Sequence, residues 1–201
     1  MQQLILASQS PRRLELLQTL GIGCTVDTVK VSEIIDKNLN LEAAIAKLAT
    51  DKGQALVNSR NYMKGHGILV LSADTVVVLG QEILGKPKDA LQASDFLHRL
   101  SGVEHRVISG ICIHEIDRGQ IWTATDTTFV RFHPLTEQQI HDYVASGEPF
   151  DKAGAYGIQG AAKSFVSERR GSWSNVVGLP LELFEKMVTE HGWQLSRNQR
   201  P

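Results

Sequence analysis

At 201 residues, 42% hydrophobic and 21% charged, the chain is long enough for one ordinary globular domain with a sizeable core. Its 21 Lys and Arg against 22 Asp and Glu leave a formal charge of -1, which excludes an overall basic field and with it nucleic acid as the main partner. The two cysteines, Cys24 and Cys112, lie in no zinc or disulfide spacing, and neither a secretion leader nor an apolar run approaching ~18 residues is present, so a soluble, cytoplasmic protein is expected, with no membrane partner.

Leu4-Ile5-Leu6-Ala7, then Ser8-Gln9-Ser10-Pro11-Arg12-Arg13, then Leu14, Leu17 and Leu20 before Gly21 read as strand, turn and helix. Ser10 is a natural N-cap and Pro11 suits the first helical position. Arg12 and Arg13 then fall in the first turn, where the macrodipole opposes cations by a few tenths of a kcal/mol to about 1 kcal/mol each. An anion held by the serines, the amides and the arginines would turn that repulsion into binding; two solvated arginines are the plainer reading.

Cys24 to Val31 alternates as a strand would and leads into a polar loop holding Glu33, which matters only if it faces the arginines. Asn38 or Asn40 can cap a helix running to about Asn58 with Leu41, Ala44, Ile45, Leu48, Ala55 and Leu56 on one face. Lys52 interrupts that stripe, so its ammonium must snorkel out or meet an anion. Asn58 to Gly67 reads as a loop. Ile68 to Leu79 is a strand covered on both faces with Asp74 and Thr75 set into its middle, and a carboxylate so placed needs a cation, a metal or hydrogen bonds. Glu82-Ile83-Leu84 follows, then Gly85-Lys86-Pro87, where Lys86 is a further candidate phosphate cation.

Asp89 caps a helix with Ala93, Phe96, Leu97 and Leu100 inward. His105 to Ile116 and Gln120 to Phe132 form a hairpin about Asp117-Arg118-Gly119. Thr136-Glu137-Gln138-Gln139 is a capping box. Gly154, Gly157 and Gly160 stand in seven residues around Tyr156 and Gln159, a bare backbone suited to close packing on a flat ligand whose base edge Gln159 could read. Ser164 to Arg169 is a strand, Pro180 opens a last helix with Leu181, Phe184, Met187 and Val188 inward, and the tail from Arg197 is expected to fray.

Ser8 to Arg13, Ala73-Asp74-Thr75-Val76, Gly85-Lys86-Pro87, Asp151 to Gly160 and Asn175 to Pro180, in that order, resemble the Maf family of nucleoside triphosphate pyrophosphatases over roughly residues 4 to 190. The resemblance implies an elongated α/β fold of the Maf/inosine-triphosphatase-like kind, with a strongly twisted mixed sheet and a nucleotide cleft between two lobes. A single domain over residues 1–195, a tail over 196–201 and a homodimer are expected with it. It implies hydrolysis of a nucleoside triphosphate between the α- and β-phosphates with a divalent cation, Mg²⁺ or Mn²⁺. Ser8, Ser10, Arg12 and Arg13 would bind substrate and Lys52 and Lys86 would neutralise phosphate charge. Asp74 would be the proton acceptor, and Glu33 with Asp74 would hold the metal, the division of base and ligand roles between the two being open. Ser32-Glu33-Ile34 departs from the paired acidic residues often found in that loop of the family.

Arg13, Thr75 and Gln159 resemble the branch acting on dTTP and UTP, which implies a role in clearing unwanted nucleotides, modified pyrimidines among them. The branch acting on 7-methyl-GTP tends to carry an aromatic and acidic residues there. That specificity, and a nucleotide-binding regulator of cell division without turnover, are the alternatives.

Overall fold

The apolar runs become seven strands and the helical patterns six α-helices in a computed structural model that describes residues 1–32, 34–36 and 38–197. In chain order these are β1 (Gln3–Leu6), α1 (Pro11–Thr19), β2 (Cys24–Val26), α2 (Leu41–Ser59), β3 (Ile68–Leu79), β4 (Glu82–Leu84), α3 (Ala90–Leu100), β5 (Glu104–Glu115), β6 (Gln120–Phe132), α4 (Glu137–Ala145), β7 (Val166–Arg170), α5 (Trp173–Val177) and α6 (Leu181–Glu190). Short 3-10 turns cover Glu148–Asp151, Ala153–Ala155 and Ala161–Phe165. The strands form one mixed sheet in the order β2-β1-β3-β5-β6-β7, with β4 pairing β3. β1 is parallel to both β2 and β3, whereas β3–β4 and β6–β7 are antiparallel. No helix among the described residues is long and apolar enough to cross a membrane.

Several expectations shift. β2 ends at Val26 rather than near Val31, because Asp27 leaves the sheet after donating its N–H to Leu6 and takes Arg60 Nε and Nη2 on its carboxylate at 2.7 Å each. The loop before β3 is tied down: Gly65 and Gly67 donate N–H to the Asp117 carboxylate at 2.8 and 3.1 Å. β7 starts at Val166, its expected first residues forming a 3-10 turn instead. Arg197 does not fray, since it bridges Ile22, and Leu195 bridges Gln2; the residues beyond Arg197 lie outside the described ones.

Contacts divide the chain into two compact units. The first comprises Met1–Asp74, Ser109–Asp126 and Gly178–Pro201. Its tightest packing is α2 on the sheet. A Cβ on Gly53 would lie 2.6 Å from the His114 ring and from Ser72 Oγ, and one on Gly110 would lie 2.7 Å from the Ile45 carbonyl oxygen. Ser72 Oγ donates to the Ala49 carbonyl at 2.6 Å, crossing the same seam. The second unit comprises Thr75–Ile108 and Thr127–Val177. In its core Phe132 meets His105, Tyr156 and Phe165 edge to face at 5.0, 4.8 and 6.0 Å, and His105 Nε2 lies 2.8 Å from the Tyr156 hydroxyl.

Gly110→Ala should destabilise the chain by about 1–3 kcal/mol, the usual cost of an overpacked seam. The urea midpoint should fall at constant m-value, and an unchanged midpoint would mean that α2 does not sit this close.

Burial lowers the His105 pKa from 6.5 to about 4. Above the unfolded value the ring is neutral in both states; below it the unfolded chain takes up a proton that the folded chain refuses, so stability falls as pH drops from about 6.5 towards about 4, by up to roughly 3 kcal/mol. His114, also lowered by burial, acts in the same sense. The urea midpoint measured across this window should fall less steeply for His105→Gln, and parallel slopes would remove His105 from the acid sensitivity.

Candidate active site

β1 runs parallel to β3 with Leu6 opposite Leu71, and the Ala7 N–H donates to the Leu71 carbonyl at 2.7 Å. Ser8, which follows β1, and Asp74, just beyond the stretch of β3 that pairs with β1, therefore lie at the same end of that parallel pairing. In open α/β sheets, ligands bind outside the carboxyl ends of the parallel strands.

Pro11 does take the first helical position and Ser10 the N-cap position, but the Ser10 side chain makes no capping bond. The Ser8 hydroxyl organises this turn instead. It accepts the Ser10 N–H at 3.2 Å and Arg13 Nη1 at 3.0 Å. Arg13 Nε meanwhile donates to the Gly178 carbonyl at 2.7 Å, so the guanidinium joins the turn to the segment ahead of α6. No acidic residue occupies the first turn of α1, where Arg12 is half-buried. The electrostatic conflict seen in the sequence is thus relieved in part by protein acceptors: Arg13 is a strut between two backbone segments.

Lys52 meets an anion rather than snorkelling out. Its Nζ donates to Asp74 Oδ1 at 2.9 Å, with 18% of the lysine side chain and 11% of the aspartate side chain exposed. The helical spacing places Lys52 between buried Leu48 and Leu56, and the narrow seam at Gly53 lets the ammonium reach β3. Asp74 is a nearly buried carboxylate in the middle of a twelve-residue strand, held by a cation from a helix.

The remaining predicted residues described here belong to the second unit. Thr75 follows Asp74 in β3 and is half-buried, whereas Lys86 and Gln159 are exposed. The Gly154 N–H donates to the Gly85 carbonyl at 3.0 Å, which ties the loop of Lys86 to the segment carrying Gln159. Glu33 lies outside the described residues.

The glycines around Gln159 correct the expectation of a bare backbone turned to a ligand. A Cβ on Gly154 would lie 2.8 Å from Val77, one on Gly157 2.5 Å from Lys152 Cε, and one on Gly160 would collide with Glu148 Oε1. Their bare sides face the protein. Ala155 adds a φ of 59°, the left-handed conformation that only its close packing makes tolerable. From the sequence Tyr143 reads only as a scaffold position of the helix opened by Thr136, and the only sign of Glu148 is its place ahead of the glycine-bearing segment.

Among the described residues no group of three or more His, Cys, Asp and Glu could hold a metal ion. A buried oxygen-donor carboxylate suits a hard cation, and Mg²⁺ is commonly bound through one or two carboxylates, several waters and the phosphates of its substrate rather than an all-protein cage. Asp74 fits that mode. A cleft of about 350 Å³ lined by Gln54, Tyr62, His114 and Ile121 includes none of the predicted residues.

Residues 3–191 match the family described as Maf-like protein. The chain is 42% identical over 187 residues to a dTTP/UTP pyrophosphatase of Bdellovibrio bacteriovorus, covering 93% of this chain and 97% of that protein. It is 43% identical over 195 residues to one of Symbiobacterium thermophilum, with 97% of each covered, and 40% identical over 193 residues to one of Halalkalibacterium halodurans, with 96% and 98% covered.

Arg13→Lys should lower stability by about 1–2 kcal/mol, because an ammonium cannot make both the Nε and the Nη1 bond of the planar fork. Thermal or urea unfolding without nucleotide reads this directly, and wild-type stability would mean that the strut carries nothing.

Proposed function

The chain belongs to the Maf family, and from that premise we propose that it hydrolyses dTTP and UTP to the monophosphate and pyrophosphate, removing unwanted pyrimidine nucleotides. The observation that carries the reading is the nearly buried Asp74 on Lys52, just past the end of the β1–β3 pairing from which the Ser8–Arg13 turn departs. A binder of nucleotides needs cations; an acceptor for the proton of attacking water is needed only for turnover.

In this reading Asp74 accepts a hydrogen bond from water and takes its proton as the oxygen attacks the α-phosphorus. The bond from that phosphorus to the bridging oxygen breaks, and pyrophosphate leaves with the electron pair. Lys52 holds the carboxylate at a fixed angle, and because a carboxylate has about four acceptor sites, the ammonium still leaves capacity for water. Arg12, Lys86, Ser8, Ser10 and the first amides of α1 bind the phosphate oxygens. Arg13 contributes charge while fixing Ser8. Thr75 and Gln159 offer the donors and acceptors that a pyrimidine carbonyl and imide N–H require. A divalent cation, Mg²⁺ or Mn²⁺, supplies Lewis-acid charge to the phosphates when bound. Asp74 would hold it, together with Glu33 by family resemblance. Residues 1–195 act as one catalytic domain, in a cytoplasmic homodimer.

The test is a panel of canonical and modified triphosphates with Mg²⁺, read by pyrophosphate release. dTTP and UTP should be the preferred substrates. Preference for 7-methyl-GTP would overturn the branch assignment, and nucleotide binding without any release would overturn the enzyme. Asp74→Asn should lower kcat by about 10²–10⁴-fold, the range for losing a general base, with a small change in KM.

A further inference from the structure

Gln159 is exposed, yet the backbone on either side of it is held by two residues that carry no assigned role. The Tyr143 ring is buried edge to face against Phe165 at 5.2 Å. Its hydroxyl donates to Glu148 Oε1 at 3.0 Å and accepts the Gly157 N–H at 3.2 Å. Glu148 Oε2 accepts the Ala161 N–H at 3.2 Å. The same carboxylate fills the space where Gly160 has no side chain, and the Glu148 carbonyl accepts Lys152 Nζ at 2.6 Å, whose stem lies along Gly157. Lys152 is anchored in turn on Asp151 Oδ1 at 2.6 Å. Between Gly157 and Ala161 only Ile158 is buried, so the chain is pinned at both ends and in the middle while Gln159 projects.

We propose that Tyr143 and Glu148 are positioning residues that preset residues 157–161, and through them the angle at which Gln159 meets the base. This rests on the base-reading role of Gln159 given above. An exposed Gln on an unheld glycine-bearing loop would have to be ordered at each binding event, which costs affinity. The network removes that cost before substrate arrives. Glu148 also explains the composition of the segment: a side chain on Gly160 would displace the carboxylate, and one on Gly157 would displace the lysine stem.

Tyr143→Phe keeps the packed ring and removes both hydroxyl bonds; Glu148→Gln keeps the shape and puts an amide donor where one oxygen accepted. In either variant KM for dTTP and UTP should rise about 5- to 10-fold, with discrimination against CTP falling by a similar factor and kcat carrying little of the loss. Amide exchange at residues 157–161 should quicken in Tyr143→Phe while exchange in the β3 core keeps its wild-type rate. The combination with Gln159→Ala should be non-additive, the double variant discriminating no worse than Gln159→Ala alone. Additive effects, or a uniform fall in kcat on every nucleotide, would overturn the positioning role. If Gln159→Ala keeps full base preference, the base-reading role fails and this inference with it. If Gln159→Ala loses preference while Tyr143→Phe keeps it, the positioning role alone fails.

Discussion

The distance between α2 and the sheet is the constraint from which the candidate chemistry follows. It is set where two glycines leave no room for a methyl group, Gly53 against His114 and Ser72, and Gly110 against the backbone of Ile45. A lysine side chain has a fixed reach. Only with the helix drawn in this far does Lys52 Nζ come to 2.9 Å from Asp74 and make a carboxylate inside a buried strand tenable. Ser72, two residues before Asp74, bonds to the α2 backbone across the same seam. Packing, hydrogen bonding and charge thus depend on one interval, and a change of a few tenths of an ångström would be felt by all three.

In both units glycine admits the protein's own groups. At the α2 seam it admits a histidine ring, a hydroxyl and a peptide; around Gln159 it admits Val77, a lysine stem and a carboxylate. Glycine's conformational freedom is the familiar reason for its use near ligands, and a left-handed φ at Gly154 and Ala155 fits that use. The distances favour a second reason. Residues without side chains let polar side chains reach backbone groups, as Ser72 Oγ reaches the Ala49 carbonyl and Glu148 Oε2 the Ala161 N–H.

Much of the fold was legible because its signals are local. The caps at Asn40, Asp89 and Thr136, the capping box with Gln139, and the long buried strand through Asp74 are each stated by neighbouring residues, and each stands where it was expected. Lys52 was legible as a disturbance in an apolar stripe, though its partner, 22 residues away, was one of two outcomes. What the residues alone left hidden depends on contacts between distant segments. Arg13 and Gly178 are 165 positions apart, and nothing in either stretch names the other. β2 ended early because Asp27 found Arg60, and Arg197 was held because Ile22 lay beside it. The direction in which a glycine turns its empty side is of the same kind: Gly160 reads as a loop residue until Glu148 is placed against it.

The Arg13 strut has an uneven mutational logic. Its acceptor at one end is a backbone carbonyl, which every residue type offers, so the identity of residue 178 is not recognised through this bond. What constrains that position is its φ of 129°, a conformation open to glycine and strained for most others. The arginine has less latitude, because its Nε and Nη1 donors reach Gly178 and Ser8 from one rigid guanidinium plane at the end of a long stem, which a lysine does not reproduce. Change at the carbonyl end is filtered by backbone shape alone and change at the guanidinium end by chemistry. Compensating pairs of substitutions across this contact are therefore not available to the chain, and drift must proceed around it.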